Sequence, residues 1–161
     1  MSILNKKQIY EFIKDKNIWY EIVEHDAVYN MADIEKINLP YKEKDAKNLF
    51  LCDDKKNYYL ITVDPIKKVN LKEFRKKYNI RPLSFALEED LLNIMNLTKG
   101  SVTPLGILND TDKKVIVYID KYFNDIIGIH PNDNTATIYL KVEDLIDIIK
   151  SHGNEVHIVE I

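Results

Sequence analysis

The chain has 161 residues, enough for one full hydrophobic core and short for two. Its 45% apolar and 30% charged content is that of an ordinary globular protein, and without a run of about 18 uncharged apolar residues a membrane span is excluded. The net charge of −3 gives no global field for nucleic acid, and the single cysteine, Cys52, excludes an internal disulfide and belongs to no zinc ligand set.

In chain order, Ile9, Phe12 and Ile13 fall at helical spacing within residues 5–16, and WYEIVEH (19–25) alternates as a strand does. Residues 29–39 read as a short helix ending near Pro40. NLFLCD and NYYLITVD read as two strands of a hairpin turning at Asp53-Asp54-Lys55-Lys56. LKEFRKKYN (71–79) is a basic helix with Leu71, Phe74 and Tyr78 facing inward, and PLSFA a brief extended piece. EEDLLNIMNL follows as a helix whose acidic first turn complements the dipole. KGSVTPLGILND (99–110) is then a glycine- and proline-containing loop leading into an apolar strand, LGIL. Beyond it come strands in KVIVYID, IIGIHP and TATIYLK, a helix in VEDLIDIIKSH stopped by Gly153, and a last strand in EVHIVEI. No repeat or linker interrupts this pattern. The expected architecture is one α/β domain over residues 1–161, with a mixed, largely antiparallel sheet flanked by helices.

The loop at 99–110 fails three common tests. A nucleotide-hydrolase loop ends in Gly-Lys-Ser/Thr and leads into a helix, whereas here Lys99 precedes Gly100. The spaced glycines of the dinucleotide fingerprint are missing, and so is the Gly-x-Ser-x-Gly of a hydrolase elbow. What remains is either a tight turn between secondary elements or a backbone wall aiming N–H groups at an oxygen. Lys47, at the entry of a buried strand, reads either as a snorkelling edge residue or as a fixed cation. His130 and His25 each end a strand beside a polar loop, and each alone reads as structural or functional. Lys67, Lys68, Lys72, Arg75, Lys76, Lys77 and Arg81, against only Glu73, form either a solvated face or a patch for a partner touched over a small area.

Together these segments resemble the YbaK/prolyl-tRNA-synthetase-associated domain family of trans-editing aminoacyl-tRNA deacylases. The matching residues are His25 and Ala27 in HDAVYN; KNLFL (47–51) with the following YYLITVD; GSVTP (100–104), Leu105-Gly106 and Asn109-Asp110; and Gly128 with His130-Pro131 and NDNTAT (132–137). Their order and spacing agree from about residue 5 to 160. KNLFL, GSVTPLGILND and HPNDNTAT are most similar to the free-standing alanyl-tRNA(Pro) deacylase branch, the ProX or PrdX type.

The resemblance implies hydrolysis of the ester joining a mischarged alanine to the terminal adenosine of tRNA(Pro), by a positioned water and with size exclusion of proline. It places backbone near Gly100 and Ser101 at the ester and Lys47 on the terminal nucleotide. His130 goes to the pocket edge with Asn134 nearby, and His25 and Tyr29 to the terminal adenosine. Asn48, Thr103 and Pro104 are further substrate-side residues, and Asn30 stands where the family has threonine. No protein nucleophile, metal or cofactor is expected. The expected partners are the acceptor end of mischarged tRNA(Pro), with Lys67, Lys72, Arg75, Lys76 and Lys77 on its phosphates, and prolyl-tRNA synthetase as a further candidate. A cytoplasmic location is expected, since MSILNKKQIYEF lacks the features of a secretory signal. The rival readings are a Cys- or Ser-tRNA deacylase of the same fold and a non-catalytic tRNA- or synthetase-binding module.

Overall fold

A computed structural model of the chain describes residues 3–161. Among the described residues eight strands form two sheets. In the smaller, β1 (Tyr20–Glu24), β7 (Ala136–Lys141) and β6 (Ile126–Ile129) lie side by side in that order, antiparallel throughout. The larger has the order β4 (Ser84–Phe85), β2 (Lys47–Cys52), β3 (Tyr58–Val63), β5 (Val115–Asp120), β8 (Val156–Val159). There β2 runs antiparallel to both β3 and β4, while β3 with β5 and β5 with β8 are parallel. The expected mixed, largely antiparallel pairing is thus present, divided between two sheets. They meet where Asp45 bridges to Gly128 and the Ala46 N–H donates to the Gly128 carbonyl at 2.9 Å.

Burial follows this order. Strand β3 is buried at every position because β2 and β5 flank it and helices cover both faces, hence its apolar run, broken only by Thr62. One face carries the main core, where Phe50, Leu60, Val117 and Ile119 meet α1 (Lys6–Asp15), α4 (Glu88–Met95) and α5 (Val142–His152). Helix α1 opens with a reciprocal cap: the Asn5 side chain accepts from the Gln8 N–H, and the Gln8 side chain accepts from the Asn5 N–H. On the other face, Leu51, Tyr59, Ile61 and Tyr118 are covered by Phe74 of α3 (Leu71–Lys77). The remaining helix, α2 (Met31–Glu35), is capped by the Asn30 side chain, which accepts from the Asp33 N–H at 2.9 Å.

One expected element is different. Residues Pro104–Asn109, expected to hold a strand at Leu105–Leu108, form a 3-10 helix. Pro104 sets the first φ, and the Thr103 hydroxyl accepts from the Leu105 N–H. At the far end the Asp110 carboxylate accepts from the Lys114 and Val115 N–H groups and from the Asn154 amide. The Gly106 and Asp110 N–H groups donate to the Thr103 and Ile107 carbonyls, and Leu105 and Ile107 enter the core with no ladder to join. A four-residue apolar run has no period by which to tell the two forms apart.

Candidate active site

The sheet junction leaves an open cleft of about 410 Å³ into which Tyr29, Lys47, Asn48, Gly100 and His130 all project. Lys47 begins β2, and its ammonium donates to the Lys67 carbonyl at 2.6 Å. Three donors are available on an ammonium, so this bond fixes the group and leaves donors for a ligand; among the described residues it makes no salt bridge. The neighbouring Asn48 side-chain oxygen accepts from the Thr62 hydroxyl at 2.7 Å, which leaves its NH₂ to face the cleft.

Gly100 lies in a 3-10 turn, Lys99–Ser101. A Cβ there would stand 3.0 Å from the Asn134 amide nitrogen and 3.1 Å from the Tyr29 ring, so glycine lets the backbone come close. The Ser101 N–H is committed to the Thr98 carbonyl at 2.9 Å, whereas the Gly100 N–H has no such partner among the described residues. Ser101, Thr103 and Pro104 are buried behind the wall rather than on it. Thr103 donates its hydroxyl proton to the His130 carbonyl at 2.7 Å and so ties the loop to the end of β6. Asn134 also acts from behind, its NH₂ donating to the Val28 carbonyl at 3.0 Å.

The His130 Nδ1 lies 2.9 Å from the Ala136 carbonyl, which can only accept, so Nδ1 carries the proton and Nε2 presents a lone pair. Burial lowers its pKa below the ordinary value, so the ring is neutral at pH 7. His25 lines the side chamber and not the cleft, its Nδ1 donating to the Asp26 carbonyl at 2.8 Å and its Nε2 accepting from the Thr137 hydroxyl at 2.9 Å. The two imidazoles are 6.4 Å apart, centre to centre.

Off the cleft opens a chamber of only about 40 Å³, lined by both histidines and by Ile37, Leu39 and Ile129. Val28, Ile34, Asp45, Ala46 and His130 line chamber and cleft alike, so the two adjoin across a shared wall. On the other side Asn48, Lys99 and Val102 are shared with a groove of about 470 Å³ that runs over Phe50 and Leu91 to the exposed Phe85.

Sequence reasoning missed Asp45, Lys99, Val28 and Ile34. Only Lys99 had a visible signal, its place directly before Gly100. Asp45 is 9% exposed, its Oδ1 accepts the Tyr139 hydroxyl at 2.7 Å, and burial pushes its pKa up to about 6. The space near it is tight, since a Cβ on Gly128 would stand 2.6 Å from that oxygen.

The basic helix α3 lies on the sheet face opposite the Gly100 loop. Lys67 is paired at 2.8 Å with the buried Asp120, and Lys77 donates to the Glu160 carbonyl at 3.3 Å. Lys72 and Lys76 are exposed, and Arg75 is half-buried. The contact between Lys47 and the Lys67 carbonyl links this region to the cleft.

Residues 25–148, which hold every cleft residue named above, match the family model of the aminoacyl-tRNA editing domain, and the chain belongs to that family. It is 38% identical to the prolyl-tRNA editing protein ProX of Acetoanaerobium sticklandii over 164 aligned residues covering both chains completely. Prolyl-tRNA synthetase associated domain-containing protein 1 of Mus musculus is 32% identical over 142 residues, which is 84% of this chain and 83% of that one. A crystal structure described, provisionally, as a trans-editing enzyme for prolyl tRNA synthetase shares the fold at a TM-score of 0.67 and 15% identity, covering 99% of each chain.

Proposed function

We propose that the protein is a trans-editing hydrolase that deacylates mischarged Ala-tRNA(Pro). Likeness to ProX and membership of the editing family support the reaction and the tRNA. One observation carries the choice of alanine: the chamber of about 40 Å³ beside the cleft. One water needs roughly 10–15 Å³ of such space, so the chamber takes about three groups of that size: a methyl group enters easily, while a rigid proline ring would have to fill it with no slack. Editing makes sense because a synthetase pocket built for proline gains only about 1–3 kcal/mol per methylene against a smaller side chain.

In this reading the ester carbonyl sits against the Gly100 wall with the alanine methyl in the chamber. Water attacks the carbonyl carbon, and the Gly100 N–H meets the developing oxyanion. His130 Nε2 accepts a hydrogen bond from the water or from a ribose hydroxyl, orienting it without acting as a nucleophile. Lys47 holds the terminal nucleotide, and the vicinal ribose hydroxyl assists the water. An aminoacyl ester is already reactive, so positioning and charge stabilisation suffice. Tyr29, 75% exposed at the mouth, offers a ring for the terminal adenine, and Lys99 and the groove beyond Asn48 receive the preceding nucleotide. Lys72, Arg75 and Lys76 are placed on acceptor-stem phosphates, and prolyl-tRNA synthetase remains a candidate docking partner.

The test is deacylation of Ala-, Cys-, Ser- and Pro-tRNA(Pro) side by side. Rapid loss of Ala with Pro spared is the expected result, and rapid loss of Cys but not Ala overturns the alanine choice. Widening the chamber with Ile34→Ala should raise Pro-tRNA(Pro) cleavage roughly tenfold, about what one or two methylenes of space are worth.

A further inference from the structure

Asp45 is a buried carboxylate with no cation in salt-bridge contact among the described residues. Its only hydrogen-bond partner among the described residues is the Tyr139 hydroxyl on Oδ1, and no salt bridge reaches it. The nearby Lys42 is engaged elsewhere, donating to the Glu35 carbonyl at 3.3 Å. An ionised carboxylate taken from water without a counter-charge is costly, and buried charges are normally paired. This one stands on the wall shared by the chamber and the cleft, beside Ala46 and within the lining that includes His130.

We propose that Asp45 anchors the α-ammonium group of the aminoacyl ester. The inference rests on the deacylase reading and deepens it. A side chain in the chamber and an ester carbonyl at the cleft wall place Cα at the boundary between them, where both spaces share Asp45. The ammonium is the one substituent of Cα then left to face this carboxylate. It is also a group every aminoacyl ester has, since an α-amino group titrates at about 8 and is mostly charged at pH 7. Tyr139 holds Oδ1 so that Oδ2 remains for the ammonium. The anchor gives a second measure of fit: a ligand must fill the chamber and present a cation to Asp45 together. Free fatty-acyl or hydroxyacyl esters of the same size meet only the first condition.

The experiment compares alanyl-tRNA(Pro) with lactyl-tRNA(Pro), in which a hydroxyl replaces the amine, for wild type and Asp45→Asn. Asparagine keeps an oxygen for Tyr139 and removes only the charge. Wild type should favour the alanyl ester by roughly 10- to 100-fold in kcat/KM, the scale of a charge-assisted hydrogen bond. Asp45→Asn should lose most of that preference through KM on the alanyl ester, with the lactyl ester unchanged. An equal alanyl-to-lactyl ratio in the two proteins overturns the anchor. Calorimetry with the non-hydrolysable alanylamido and lactylamido adenosines reads the same ratio without turnover. A protein that binds the amine through Asp45 but cleaves neither ester overturns the deacylase reading and leaves the anchor standing. Equal wild-type affinity for the two amides overturns the anchor, whatever the turnover.

Discussion

Residues Lys99–Thr103 and Pro104–Asp110 follow each other directly, each with a glycine inside a 3-10 turn, yet they answer to different parts of the molecule. In the first half Gly100 lies at the open cleft, against the Asn134 amide and the exposed Tyr29 ring. In the second, a Cβ on Gly106 would stand 2.6 Å from Leu97 Cδ1 and 3.1 Å from the Met95 sulfur, both in the packed core. The first half shapes a binding surface and the second holds it in place. A glycine in a motif therefore reports close approach, and only its neighbours tell whether a ligand or a leucine is approached.

The sharpest test of this division acts on the cleft side alone. Lys47→Ala should lower kcat/KM for Ala-tRNA(Pro) roughly 100- to 1000-fold, the usual scale for removing a fixed electrostatic group. Its melting temperature should stay within a few degrees of wild type. Full deacylation by this variant would take the terminal nucleotide away from Lys47.

The two glycines should then separate. Gly106→Ala overpacks the core and should cost about 1–3 kcal/mol in denaturant unfolding, with the folded protein keeping its kcat. Gly100→Ala should leave unfolding nearly unchanged and reduce kcat/KM about tenfold, because the added methyl displaces Tyr29 and Asn134. If both variants lose stability equally, the halves are one structural unit and the division fails.

How far the sequence could show this depends on what each element rests on. Strand β3 and helix α1 were readable because a largely apolar run and a 3.6-residue period are local patterns. The division into two sheets was not, since it turns on Asp45 meeting Gly128 across 83 residues of chain. Residues Tyr29, Lys47, Asn48, Gly100 and His130 were picked from sequence and lie on one cleft. Thr103 and Pro104, picked for the same motif, are buried supports, and their roles follow from packing that a motif does not encode. Asp45, Val28 and Ile34 escaped notice because only burial gives them meaning.

A smaller effect probes the opposite face of the larger sheet. Replacing Lys72, Arg75 and Lys76 by glutamine should weaken tRNA binding several-fold and lower the slope of log K against log salt by up to about 0.9 per lost phosphate contact. Unchanged affinity and slope would make α3 a solvated cover for Tyr118, with tRNA confined to the cleft side.

The smallest effect concerns stability and separates the two titrating groups of the site. Asp45 has its folded pKa raised from 3.8 to about 6 by burial, so its contribution is fully present below 3.8 and is lost as pH rises from there through about 6. His130 has a lowered pKa, so its contribution is present above the ordinary imidazole value and lost as pH falls through the lowered one. Asp45→Asn removes the first and leaves the second in both proteins, where it cancels. The variant's advantage over wild type should therefore be almost nothing at pH 3 and should still grow by on the order of 1 kcal/mol between pH 5 and pH 8, as read by urea unfolding. A gain independent of pH would mean that Asp45 is neutral throughout, and the unpaired charge would vanish as a reason for the site to want a cation. A gain confined to high pH would mean that the empty site holds a charge the fold alone does not satisfy, at the place where the substrate brings its own.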